Sequence, residues 1–312
     1  MSFEEINLLA QQKKPFLFMS DFTGKRVEVV LLEDLKDADI EFYIDEAYDF
    51  KQHPHKLQIK PINFTEYKKK FDAVIEKIKS GETYILNLTQ ATPIQTNLSL
   101  KEMFQLSNAH YKLRYKNEFL CFSPETFIQI SNNTIHTFPM KGTIDASYPN
   151  AEEKILSDEK EMAEHIMIVD LLRNDLSIVA SNVKVEKFRY LQMIEAGEKK
   201  LLQVSSHISG ILEENWQDNL GTILQTLLPA GSISGAPKKS TLKIIEAVEG
   251  YKRGFFSGVF GFFDGNSLDS GVMIRFIEKT ADGYIYKSGG GITLDSDVQR
   301  EYEELQDKIY LP

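Results

Sequence analysis

Apolar positions along the chain follow two periods. Short runs of β-branched and aromatic residues at 15–19, 27–32, 83–92, 119–122, 127–130 and 134–138 read as strands. The runs 15–19 and 27–32 flank a turn at Asp21-Phe22-Thr23-Gly24, and 127–130 with 134–138 form a hairpin across Asn132-Asn133. Helical spacing appears at Tyr67, Phe71, Val74, Ile75 and Ile78, with Thr65 as the expected cap and Ser80-Gly81 as the end. A short helix is predicted over 100–106. The clearest one spans 158–176, with Asp158 and Glu161 as a cap pair. Further helices are predicted over 219–228, ended by Pro229, and from Pro237, in a first-turn position, to about Gly250. A last one is capped by Ser296 with Gln299 and runs to Tyr310. Strands are also expected over 180–188 and 201–212, and as an antiparallel set at 255–263, 270–278 and 283–288. Residues 34–49 and 144–157 read as irregular, and 190–200 fits neither period. Pro54 and Pro61 mark a linker, dividing an N-terminal strand region, 1–63, from the remainder, 64–312. Mostly antiparallel strands with helices interspersed point to an α+β fold.

Composition narrows the class. The 312 residues are 42% hydrophobic, enough for a sizeable core. A formal net charge of -10 argues against a nucleic-acid surface, which needs a basic stripe. The single cysteine, Cys121, permits no internal disulfide and fits a reducing compartment. The acidic start at Met1 lacks the basic and apolar segments of a leader, and no apolar run is long enough to span a bilayer. The expectation is a soluble cytoplasmic protein with neither a nucleic acid nor a membrane as partner.

Lys141 stands between Pro139 and Gly142 at the end of a strand-like run. A rigid residue before it and a flexible one after it fix the amine at a strand end. An ordinary lysine, with a pKa of about 10.4, is almost wholly charged at neutral pH, and burial lowers that value enough to make a nucleophile. Glu161 and Glu164 are three apart and share a helix face with Ile168 and Leu171, and Glu301 and Glu304 repeat the device before Leu305. Either these are solvated acids, or the helices converge and four carboxylates surround a hard ion, Mg²⁺ rather than Zn²⁺. The loop 231–238 is either a connection or an anion cradle at a helix start. It departs from the phosphate-loop pattern, because Gly231 to Gly235 is one residue short and Pro237-Lys238 replaces Gly-Lys. Gly289, Gly290 and Gly291 mark a bulge or a site of close approach. Arg275, in an apolar run and expected to point with Met273 and Ile277, answers a carboxylate of the substrate or of the protein. His207 is either structural or a hydrogen-bonding group of a site.

Taken in order, these blocks resemble the chorismate-utilising enzymes: anthranilate synthase, aminodeoxychorismate synthase component I, and the isochorismate and salicylate synthases. The similarity covers about residues 64–309. It rests on 81–89, Ser123-Pro124-Glu125, 139–143, 160–165 continuing through 170–176, 231–238, Arg253-Gly254, 289–297 and 301–304. The resemblance implies two stacked, mostly antiparallel β-sheets with helices on the outside, residues 64–312 being the chorismate-binding catalytic domain. It implies Mg²⁺ held by Glu164 and Glu304, with Glu161 and Glu301 on the ion's waters. Ser232, Arg275, Gly289, Gly290, Gly291 and Lys308 would bind chorismate, with His207 matching the family's histidine. Glu125 matches the acid that protonates the departing C4 hydroxyl.

Lys141 selects among the relatives. Anthranilate synthases carry a small residue in this slot, and aminodeoxychorismate synthases resemble this chain in placing lysine there. By that analogy Lys141 attacks C2 as the C4 hydroxyl leaves, and ammonia then adds at C4 and displaces the lysine, giving 4-amino-4-deoxychorismate for 4-aminobenzoate and folate synthesis. Anthranilate synthase component I, or another chorismate-utilising enzyme, stands as the alternative, and a non-catalytic chorismate-binding subunit as a further one. Ile85 occupies the slot of the lysine that activates water in isochorismate and salicylate enzymes, and it also replaces the glutamine common in aminating relatives. Cys121 lacks the Gly-x-Cys-x-Gly setting of a glutamine-hydrolysing nucleophile, so a separate glutamine amidotransferase subunit is the expected ammonia source. Phe256 before Ser257-Gly258, and Ser177-Ile178 after Asp175-Leu176, depart from the family pattern. The region before residue 64 is much shorter than usual, and Leu31-Leu32-Glu33-Asp34 is no convincing counterpart of the tryptophan-binding Leu-Leu-Glu-Ser element, which argues against feedback by tryptophan.

Overall fold

The computed structural model describes residues 2–44, 56–196 and 199–311. Among these, the strands form two antiparallel sheets, one of nine strands and one of eight. The larger is ordered Met140–Asp145, Lys199–Ile211, Thr134–Thr137, Thr126–Ser131, Leu268–Val272, Val259–Phe263, Phe16–Ser20, Val27–Leu31, with Ser181–Ala196 along the other side of Lys199–Ile211. The smaller runs Gly235–Ala236, Ile85–Thr96, Gly283–Ile292, Phe276–Thr280, Phe119–Ser123, Tyr111–Tyr115, Ile40–Ile44, with Leu57–Ile59 also on Ile85–Thr96. Helices flank them. Residues 2–44 enter both sheets: Phe16–Ser20 and Val27–Leu31 pair in the larger one, Ile40–Ile44 in the smaller. Among the described residues no helix is long and apolar enough to cross a membrane.

Phe16–Ser20 shows why the sheets stack. All five residues are buried, because alternate side chains serve opposite faces. Leu17 and Met19 join Leu113, Cys121, Phe260 and Phe276 in a core that draws on both sheets. Phe16 and Phe18 turn the other way, into a second core with Phe263 of the neighbouring strand and with Trp216 and Leu220 of the flanking helical segments. The amino-terminal helix Phe3–Gln11 sits on Leu220–Leu227 so closely that a Cβ on Gly221 would lie 1.8 Å from the Phe3 carbonyl oxygen.

Most expected elements form, with instructive shifts. Asn132 and Asn133 both adopt positive φ (47° and 58°), the geometry a two-residue hairpin turn needs. The helix Phe64–Lys79 is capped by Asn63, whose side chain accepts from the Thr65 N–H at 2.8 Å, so Thr65 lies inside it. The last helix, Val298–Asp307, is capped by Asp297 instead of Ser296, and Pro237 sits at the N-cap of Lys238–Glu249 instead of the first turn. Residues 144–157 are not a loop: they close the strand Met140–Asp145 and form the helix Ala151–Ser157. Tyr111–Tyr115 is an unforeseen strand, as is Ile40–Ile44 inside the stretch read as irregular, whose residues 45–49 lie outside the described ones, as does Pro54. Of the unassigned 190–200, residues 190–196 and 199–200 extend the long hairpin of Ser181–Ala196 with Lys199–Ile211, and 197–198 lie outside the described residues.

The run 270–278 is not one strand. Leu268–Val272 belongs to the larger sheet and Phe276–Thr280 to the smaller, and the chain crosses between them at Arg275, with φ of 51°. Both halves are buried, so an unbroken apolar run does not reveal the crossover. Gly289, Gly290 and Gly291 form no bulge: they lie in Gly283–Ile292, paired in register with Thr89, Leu88 and Asn87.

Candidate active site

Thr134–Thr137 and Met140–Asp145 lie end to end along one long strand, Lys199–Ile211, separated at Phe138-Pro139. The register slips between Met140 and Thr143, so Lys141 and Gly142 form a β-bulge. Gly142 has φ of 87°, and a Cβ there would come within 3.1 Å of Glu161 Oε2. The bulge re-aims Lys141 toward the helix Glu159–Val179. Its Nζ lies 2.6 Å from Glu164 Oε2, with only a quarter of the side chain exposed.

The acids arrive on two helices. Asp158 caps the first by accepting from the Glu161 N–H at 2.9 Å, which leaves the Glu161 carboxylate to face the site. Glu164 Oε1 is 3.7 Å from Lys160 Nζ, and Lys160 Nζ is also 3.7 Å from Glu301 Oε1 on the last helix. Ser296 Oγ donates to Glu301 Oε1 at 2.9 Å. Glu304 pairs with Lys308 at 2.7 Å, and Lys308 Nζ also donates to the Gly289 carbonyl at 2.8 Å. The glycine strand runs beside all of them. A Cβ on Gly290 would lie 3.2 Å from Glu301 Oε2, and one on Gly291 would lie 3.7 Å from Lys141 Nζ and 3.6 Å from Ile85 Cδ1. None of the three has positive φ, so the backbone conformation does not demand glycine; a Cβ is excluded outright only at Gly289, where it would lie 2.5 Å from Thr89 Cγ2.

Charges at this density perturb one another. Burial pulls the Lys141 pKa down, but Glu164, Glu161 and Glu304 outweigh it and hold the amine above its ordinary value. The amine is therefore an ammonium, in contrast to the uncharged lysine that burial alone would produce. Burial, reinforced by Glu164, raises Glu161 against the pull of Lys141. Burial likewise raises Glu301, with Glu304 adding to it and Ser296 opposing. Glu304 runs the other way: burial raises it, yet Lys308, Lys141 and Lys160 together hold it low.

Glu125 leaves the strand Phe119–Ser123 and accepts a short hydrogen bond from Ser232 Oγ. Burial raises its pKa against Ser232 and Lys308, as a proton donor requires. Beside it a cavity of about 20 Å³, room for about one water, is lined by Thr137, Pro139, Asp175 and Gly231 among others. The loop carrying Ser232 is a 3₁₀ turn, Gly231–Ile233, and Lys238 is committed to Asp175 at 2.8 Å. A fully buried pair, Arg253 with Glu249 (2.6 Å), fastens this loop to the sheet: Arg253 donates to the Ile233 carbonyl (2.8 Å) and to that of Asn87 (2.7 Å).

Two expected residues have their side chains engaged elsewhere than on these acids. His207 alternates with Ser206, whose hydroxyl meets His165 Nε2 on the long helix at 2.7 Å, so His207 faces away from that helix. It lies 3.0 Å from His136 and stacks on Phe138. Arg275 parts from Met273, which lies in the inter-sheet core, and turns with Ile277 toward Tyr286 and the carboxy-terminal residues. It donates to the Lys308 carbonyl at 3.3 Å and covers the Tyr310 ring at 4.9 Å, tying down the end of the last helix. Conversely, Lys160, His165 and the Glu249–Arg253 pair had no assigned role, and Ser296 was expected only as a helix cap. His165 is a buried neutral imidazole, lowered to about 4 by burial, Arg189 and Lys141. Only the spacing of Lys160 to Glu164, one helical turn, was visible in advance.

Among the described residues no group of three or more His, Cys, Asp or Glu is set to hold a metal ion as it stands. The acids reach one another through lysine ammoniums. The donor set nevertheless fits a hard cation: all-oxygen, charged, with Glu161 Oε2 buried and without a hydrogen-bond partner. Cys121 is wholly buried in the inter-sheet core, and burial pushes its thiol pKa up, which excludes it as a nucleophile for glutamine.

A family model described as chorismate binding enzyme matches residues 5–311, beginning well before residue 64. A Haemophilus influenzae protein named "Uncharacterized PabA-like protein" is 47% identical over 99% of this chain and 95% of its own length. Aminodeoxychorismate synthase component 1 of Bacillus subtilis is 30% identical over 77% of this chain, which spans about half (54%) of that protein. The crystal structure of anthranilate synthase component I from Streptococcus pneumoniae superposes with a TM-score of 0.66 at 26% identity, covering 83% of this chain and 60% of that one. The fold is thus the one the motif blocks implied, and the chain belongs to the chorismate-binding enzymes, of the type that includes these two synthases.

Proposed function

We propose that the protein converts chorismate and ammonia to 4-amino-4-deoxychorismate, as an aminodeoxychorismate synthase component I. The observation that carries this reading is the Lys141 amine, turned by its bulge into a pocket of acids beside Gly291. A solvated surface lysine has no such setting. The amine is charged at rest and must shed a proton before attack, and Glu164 Oε2 at 2.6 Å is within reach to accept it. Lys141 Nζ then bonds to C2 of the ring as the C4–O bond breaks, and Glu125 gives its proton to the departing hydroxyl, which leaves as water. Ammonia bonds at C4, the C2–N bond breaks, and the amine returns to Lys141. Glu164 and Glu304 would hold Mg²⁺, with Glu161 and Glu301 around its waters, and the ion would supply positive charge to chorismate's carboxylate. Lys308, Ser232 and the Gly289–Gly291 backbone, which lie around the acids and Glu125, would bind the substrate, and Ile85 would keep that wall apolar. Ammonia would come from a separate glutamine amidotransferase subunit, because the buried Cys121 cannot serve.

The test is product analysis with purified protein, chorismate, Mg²⁺ and ammonium. 4-Amino-4-deoxychorismate is expected without any partner subunit, and chelation of the metal should stop its formation. Fluorescent anthranilate as the direct product would refute the assignment.

A further inference from the structure

We propose that Lys160 is a resident counter-ion, which a divalent cation must displace, and that it thereby sets the metal affinity of the acidic cluster. The inference rests on the metal assignment made above. Among the described residues Lys160 alone forms ion pairs with acids of both helices: its Nζ lies 3.7 Å from Glu164 Oε1 and 3.7 Å from Glu301 Oε1. Those carboxylate side chains are 4% and 6% exposed, so neither has much water to screen it from the other. An ammonium between them holds the two helix ends together.

The geometry also says which lysine yields. Lys141 is anchored on a bulged strand, three-quarters buried, with a contact of 2.6 Å. Lys160 is on the rim, its side chain 35% exposed, and both of its contacts are long. A side chain that swings out from there regains water and gives up little. If it stays, its charge opposes a doubly charged ion bound to the same carboxylates. Lys160 therefore has two opposed effects. It stabilises the protein without metal and weakens binding of the metal.

The experiment is Mg²⁺ alone titrated into the full chain by calorimetry, with melting temperatures measured with and without the ion. Lys160→Met, with Lys160→Gln as a second neutral variant, should bind Mg²⁺ about tenfold more tightly, on the scale of removing one unit charge at this range. The neutral variants should melt lower than wild type without metal, and gain more from adding it. Lys160→Arg, which keeps the charge, should track wild type. Unchanged or weaker Mg²⁺ affinity in both neutral variants overturns the proposal, as does Lys160→Arg behaving like Lys160→Met. Wild type that takes up no Mg²⁺ overturns the metal assignment itself, and this inference with it.

Discussion

Replacing Lys141 separates its charge from its nucleophilicity. In Lys141→Ala, Glu164, whose side chain is only 4% exposed in the wild type, loses the cation 2.6 Å from Oε2. Breaking a buried pair by removing one partner costs about 3–5 kcal/mol. The amine is a quarter exposed and Lys160 remains 3.7 Å away, which brings the expected loss to about 2 kcal/mol. That corresponds to a fall in Tm of about 3–6 °C, measured by calorimetry. The sign with pH is fixed: the amine's pKa is raised on folding, so its contribution is complete below the ordinary lysine value of about 10.4 and is lost as pH rises through the raised one. The gap between wild type and variant should stay constant near neutrality and close only in alkali. C4 amination should fall by at least about 10³-fold, roughly 4 kcal/mol of barrier, read by chromatography of the products. Lys141→Arg keeps the pairing charge but offers no nucleophile, so it should melt near wild type and still fail to aminate C4. A Lys141→Arg enzyme that retains wild-type amination would refute covalent participation, whatever its stability.

Two further outcomes follow from the site. Glu125 has its pKa raised on folding, so the folded state favours its protonated form, and the stability this gives is present at low pH and lost as pH rises through the raised value. Glu125→Gln should therefore be more stable than wild type at neutral pH, yet slow, and the loss of rate with rising pH that belongs to this acid should vanish from its pH profile. Gly289→Ala and Gly290→Ala should fail differently. The first would put a Cβ 2.5 Å from Thr89 Cγ2 and 2.7 Å from the Leu88 carbonyl oxygen, overpacking a paired strand at about 1–3 kcal/mol. The second meets only the mobile ends of Glu301 and Lys308, at 3.2 and 3.8 Å, so it should melt near wild type and lose turnover. Equal melting temperatures for the two would show that Gly289 is not there for space.

The sequence by itself determined whatever is local. Leu100–Leu106 was legible because Ser99 and Glu102 close a capping box, and the Asn132-Asn133 hairpin because both residues tolerate positive φ. The pairing of acids three apart on each of two helices was also legible, because side chains one turn apart share a face whatever lies opposite. What only the tertiary structure decided is what meets across elements distant in sequence. The crossover at Arg275 was hidden because burial in either sheet demands the same apolar residues. His207 kept a residue type suited to a site, but the strand's alternation set by Ser206 and His165 turns it away. Above all, the charge of Lys141 was decided in space. Burial alone argued for a free amine, and three carboxylates from two separate helices reverse that outcome, because electrostatic energy depends on distance through the fold and not along the chain.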